Sequence, residues 1–110
     1  MGPVTIDQPS KITSRSVDKN ITILNLGHGK YLFKSPFPVN IVFEDDVYIA
    51  SSYDLNTFGS GESEDEALRD LCESVIEYYE HLKANHSNLG ALLKRDWDFL
   101  SRMIVEVERN

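Results

Sequence analysis

The spacing of apolar residues changes at Ser63, and this change constrains the fold more than any other feature of the chain. From Asn20 to Ala50 they come in short, β-branched runs broken by Gly, Pro and acids, whereas after Ser63 they recur at steps of three and four. A period near two suits a strand and a period near 3.6 suits a helix, so one pattern does not serve as the other. Strands first and helices second predict an α+β domain: a small antiparallel sheet of three to four strands, a meander, followed by two helices on one face. At 110 residues and 12.5 kDa the chain has material for one core. Residues 20–110 are read as that single domain and residues 1–19, with Pro3, Pro9 and scattered Ser and Thr, as a mobile arm.

Within the first part, Asn20 to Leu24 reads as a strand that turns at Gly27-His28-Gly29 and pairs with Lys30 to Ser35, where Pro36 and Pro38 end the ladder. Val39 to Phe43 and Val47 to Ala50 form a second hairpin across Glu44-Asp45-Asp46. Asp54 to Gly61 is a polar, Gly-punctuated connector. Ser63-Glu64-Asp65-Glu66 is a capping box, with the Ser63 hydroxyl accepting from the amide three residues on and Glu66 reaching back to the Ser63 amide. Leu68, Leu71, Cys72, Val75, Tyr79 and Leu82 then draw one stripe down a helix of about five turns. Asn85 to Asn88 breaks it. A second helix from about Leu89 carries Leu92, Leu93, Trp97, Leu100 and Ile104 on one side, and Val105 to Asn110 is a tail.

Charge and cysteine count narrow the classes of function. The 18 acids outnumber the 11 Lys and Arg, giving a formal net charge of -7, which argues against direct nucleic-acid binding through a large phosphate-facing surface. A single cysteine, Cys72, forms no internal disulfide and fits a reducing cytoplasm. No apolar run approaches the roughly 18 to 20 residues of a membrane helix, and the start lacks a signal-peptide pattern, so a soluble, cytoplasmic protein without membrane contact is expected.

Few residues suggest chemistry. His81 and His86 are five apart, off the i, i+4 spacing of a zinc-binding helix, and read as exposed helix-end residues. Cys72 lies on the apolar stripe and reads as core. Gly59-Ser60-Gly61 lacks the Lys of a phosphate-cradling loop. Asp45, Asp46 and Asp54 are the acids from which a two-metal Mg²⁺ site for phosphodiester hydrolysis would be assembled, if they converge. No catalytic residue, metal ligand or cofactor is assigned.

The stretch from Val39 to Leu82 resembles the HicB antitoxin family. The residues that carry the likeness are the hairpin Val39 to Tyr53, Asp54-Leu55, Gly59-Ser60-Gly61, the cap Ser63, Glu66-Ala67-Leu68, Asp70-Leu71, Ile76 and Tyr78-Tyr79. The resemblance implies a reduced RNase H-like core that has lost the nuclease carboxylates, and a non-enzymatic role: neutralising a small, basic, RNA-cleaving toxin by covering its active site. Nothing after Ile104 is long enough for the DNA-binding module such antitoxins usually add, and residues 1–19 show no ribbon-helix-helix pattern.

The expected function is therefore protein binding to a small basic partner, by a chain that itself forms a homo-oligomer, with a dimer favoured. The residues expected to meet the partner are the acidic tip Glu44, Asp45 and Asp46 together with Tyr48, Tyr53 and Asp54, since charge steers encounter and desolvated aromatics hold it. Two rivals are a residual RNase H-like hydrolase using Asp45, Asp46 and Asp54, and an oligomeric transcriptional regulator gathering Lys30, Lys34, Lys94, Arg95 and Arg102 on one face.

Overall fold

A computed structural model describes residues 18–107. Strands β1 (Asp18–Ile23), β2 (Tyr31–Phe33), β3 (Phe37–Glu44), β4 (Val47–Ser52) and β5 (Phe58–Gly61) precede helix α1 (Glu64–Ala84). A 3-10 turn at His86–Asn88, helix α2 (Ala91–Met103) and strand β6 (Ile104–Glu106) follow. The architecture is α+β, with an antiparallel four-stranded sheet in the order β1-β3-β4-β5 and a two-stranded ribbon β2-β6.

Register sorts the sheet's residues into two faces. Ile21, Ile23, Phe37, Val39, Ile41, Tyr48 and Ala50 point to the side covered by α1, which buries Ala67, Leu71, Cys72, Val75, Ile76, Tyr79 and Leu82 against them. Leu68, from the expected stripe, is only half-buried at its margin. The period-3.6 stripe of the helix thus packs on the period-2 inner face of the sheet. Burial raises the Cys72 thiol to about 11, consistent with a core residue and not a nucleophile.

Helix α1 begins where the capping box places it. The Ser63 hydroxyl accepts from the Glu66 amide at 3.1 Å, and Glu64, Asp65 and Glu66 occupy the positive end of the helix dipole. The reciprocal arm differs from expectation: the Glu66 carboxylate accepts from the Glu62 amide at 2.8 Å, one residue before Ser63, because β5 ends at Gly61 and leaves that amide without a ladder partner.

The first expected hairpin does not form. Asp18–Ile23 pairs with Phe37–Glu44, and Tyr31–Phe33 pairs with Ile104–Glu106, of which Ile104 is expected on the second helix and Val105 and Glu106 in the tail. Between β1 and β2 the Asn25 side chain accepts from the Gly27 amide at 2.7 Å and Gly27 takes a φ of 71°, while Leu26 is buried. Anchoring Leu26 in the core carries the chain away from β1 before β2 starts. Amides of Lys34 and Val107 extend the ribbon by donating to Met103 and Lys30.

Three further boundaries move. Pro38 lies inside β3, opposite Thr22 of β1; pairing with β4 starts only at Val39, so on that side the missing amide breaks no ladder. Phe58–Gly61, read as connector, is the edge strand β5. Asp18 and Lys19 belong to β1, opposite Val42 and Ile41, while the rest of the expected arm, residues 1–17, lies outside the described residues. On α2 only Leu100 is fully buried, with Trp97 half-buried and Leu92 and Leu93 exposed, so its apolar side is narrower than the spacing suggested.

Candidate protein-binding surface

The hairpin between β3 and β4 closes more tightly than a three-residue acidic loop. Glu44 is still paired with Val47, leaving Asp45 and Asp46 as a two-residue turn with φ values of 52° and 65°. Two left-handed residues in succession make a type I′ turn, the form whose twist matches a β-hairpin. Asp tolerates this region better than most residues but less well than Gly. Asp46→Gly is therefore expected to raise stability by a few tenths of a kcal/mol to about 1 kcal/mol, read as a higher urea midpoint.

From this turn the sheet's outer face can be followed strand by strand. Glu44 faces Val47, Val42 faces Ile49, and Ile49 faces Ser60, all pointing away from α1. Phe58 joins them from the edge strand, 65% exposed. Glu44, Asp45, Val47, Ile49, Phe58 and Ser60 line a shallow groove of about 370 Å³ with an apolar floor and an acidic wall. Across the sheet, on its β1 side, the same face is polar: the Asn40 amide donates to Asp18 at 2.8 Å and to Asn20 at 3.0 Å.

The six residues expected at a partner surface do not lie on one patch. Glu44, Asp45 and Asp46 form the tip. Tyr48 points to the opposite face, its ring centroid 4.6 Å from that of Phe43, half-buried against the core. Tyr53 and Asp54 follow the far end of β4, about 20 Å from the tip for six residues at ~3.4 Å each. There the Tyr53 hydroxyl donates to the Asn20 side chain, and buried Ser52 accepts from the Asp54 and Leu55 amides at 3.2 and 3.0 Å. The alternation of a strand sends Tyr48 inward, and its length separates Tyr53 from the tip.

The same separation bears on the hydrolase alternative, since Asp54 stands a strand's length from Asp45 and Asp46. Among the described residues, no group of three or more His, Cys, Asp or Glu is placed to hold a metal ion. Asp54 instead lines a second groove of about 520 Å³ with Tyr53, Arg95, Asp96, Asp98, Phe99 and Arg102. Acids there interleave with the two arginines that the regulator alternative would gather into a basic face. His81 and His86 are exposed, His86 resting on the Trp97 ring at 5.8 Å.

Val47, Ile49 and Phe58 were not among the expected site residues, although a signal existed. Val47-Tyr48-Ile49-Ala50 is apolar at both parities, so β4 must show apolar side chains on both faces. Asp70 protects the adjoining edge, its carboxylate accepting from the Ser60 amide at 3.0 Å. No described helix is long and apolar enough to cross a membrane. Compared with known proteins, the chain matches no family model, no curated protein and no solved structure.

Proposed function

We propose that this chain is a non-enzymatic protein-binding domain of HicB-like kind, acting in the cytoplasm as an antitoxin-type partner of a small basic protein. The observation that carries the reading is the acidic tip, held out by a two-residue turn at the end of a groove with an apolar floor. A net charge of -7 supports it, because opposite charges speed encounter with a basic partner and suppress wrong pairings. The resemblance over Val39 to Leu82 supports it as well. A homodimer belongs to the same proposal; with Asp70 occupying the outward amide of Ser60, strand addition at β5 is disfavoured, and a second copy would pair elsewhere.

The test is affinity capture from a lysate of the source cell, then association kinetics with the small basic protein recovered. Asp45→Lys with Asp46→Lys is expected to slow association several-fold at low ionic strength. Most of that difference should vanish near 1 M salt, where the Debye length is about 3 Å. Mg²⁺-dependent cleavage of RNA or DNA by purified protein, abolished by Asp45→Ala or Asp54→Ala and unaccompanied by any retained protein, would replace this reading with the hydrolase.

A further inference from the structure

The outer face of the sheet combines features that a solvated hairpin does not require. Solvation accounts for Glu44, Asp45 and Asp46, but not for Phe58 at 65% exposure beside Val47 and Ile49 on the same face. Apolar side chains scattered singly are ordinary, whereas a contiguous set rimmed by one sign of charge marks a contact surface. The polar network of Asp18, Asn20 and Asn40 bounds the set on its β1 side and the acidic turn bounds it at the tip, so the recognising chemistry is confined to the β4 and β5 side of the face.

Resting on the protein-binding reading above, we infer that this groove takes a short segment of the partner in which lysine or arginine alternates with aliphatic residues. The aliphatic side chains cover Ile49, Val47 and Phe58. Each neighbouring lysine lays its methylenes over the Phe58 ring or the Val47 side chain and brings its ammonium to Glu44 or Asp45, as amphipathic side chains do at apolar borders. Charge decides against a second copy as the occupant: a chain of net charge -7 would bring its own acids against this acidic wall. A purely basic segment leaves the floor exposed, and a purely apolar one leaves Glu44 and Asp45 beside uncompensated apolar surface.

Three peptide amides test this against the whole protein by amide and methyl NMR: Lys-Val-Lys-Ile-Lys-Val-Lys, the same peptide with Gly at every aliphatic position, and the same with Glu for every lysine. The first is expected to shift the signals of Glu44, Asp45, Val47, Ile49, Phe58 and Ser60, and to bind at least tenfold more tightly than either of the others. Ile49→Thr with Phe58→Ser should abolish that preference while leaving the Leu71 and Val75 methyl signals in place, since both substitutions lie on the face away from α1. Equal binding by the Gly peptide, or shifts centred on the acids at Glu62 to Glu66, would overturn the inference. So would concentration-dependent shifts of the groove signals without peptide, which would assign the face to a second copy. Retention of a small basic protein through Asp45 and Asp46 that ignores Ile49→Thr with Phe58→Ser would sink the groove and leave the proposed function standing. Groove binding by the first peptide with no basic protein retained from the cell would do the reverse.

Discussion

Gly59→Ala is expected to cost about 3 kcal/mol, at the upper end of what overpacking a well-filled core costs, and to lower the urea midpoint accordingly. A Cβ at position 59 would stand 2.2 Å from the Leu71 nitrogen, 2.7 Å from the Ala67 oxygen and 2.7 Å from the Asp70 carbonyl carbon. These are backbone atoms of α1, which cannot rotate aside as a side chain would. The helix must withdraw from β5, and every contact it makes with the sheet loosens with it. Gly61 stands under the same helix, where a Cβ would come 2.4 Å from the Glu66 Cβ. Gly29 provides the control: a Cβ there meets nothing within 4 Å, and Gly29→Ala should leave the midpoint nearly unchanged. A neutral Gly59→Ala would mean that α1 does not rest on the edge strand.

The second large effect concerns the other side of that contact. Leu71→Ala is expected to destabilise by about 2 to 5 kcal/mol, the range for truncating a fully buried leucine, because the helix backbone already touches β5 and cannot settle further to fill the cavity. Leu71 is wholly inaccessible, between the inner face of the sheet and its neighbours Ala67 and Val75 along α1. Equilibrium unfolding in urea measures the loss. An unchanged midpoint would place the stripe against solvent and contradict the layer arrangement. Leu92→Ala, on the exposed flank of α2, should by contrast stay within about 0.5 kcal/mol.

The sequence by itself determined what local physics governs. The α+β class, the start of α1 at Ser63, the stripe that buries Leu71, Val75 and Leu82, the pairing of Val39 to Phe43 with Val47 to Ala50 and the core setting of Cys72 all follow from periodicity, capping and turn chemistry within a few residues. Tertiary structure decided which strands meet. Asn20 to Leu24 and Lys30 to Ser35 carry no label naming their neighbours, and adjacency in the chain suggested each other; burial of Leu26 and the arrival of Ile104 from the far end sent them to different sheets.

The candidate site divides along the same line. Its acids are visible as a run in the sequence, and the apolar run of β4 signals a second apolar face, but only register brings Val47, Ile49 and Phe58 together on the face that α1 leaves uncovered. Gly59-Ser60-Gly61 looked like a loop because glycine weakens a strand taken alone. It is a strand because a helix lies directly on it, and only residues without a Cβ let two backbones come that close.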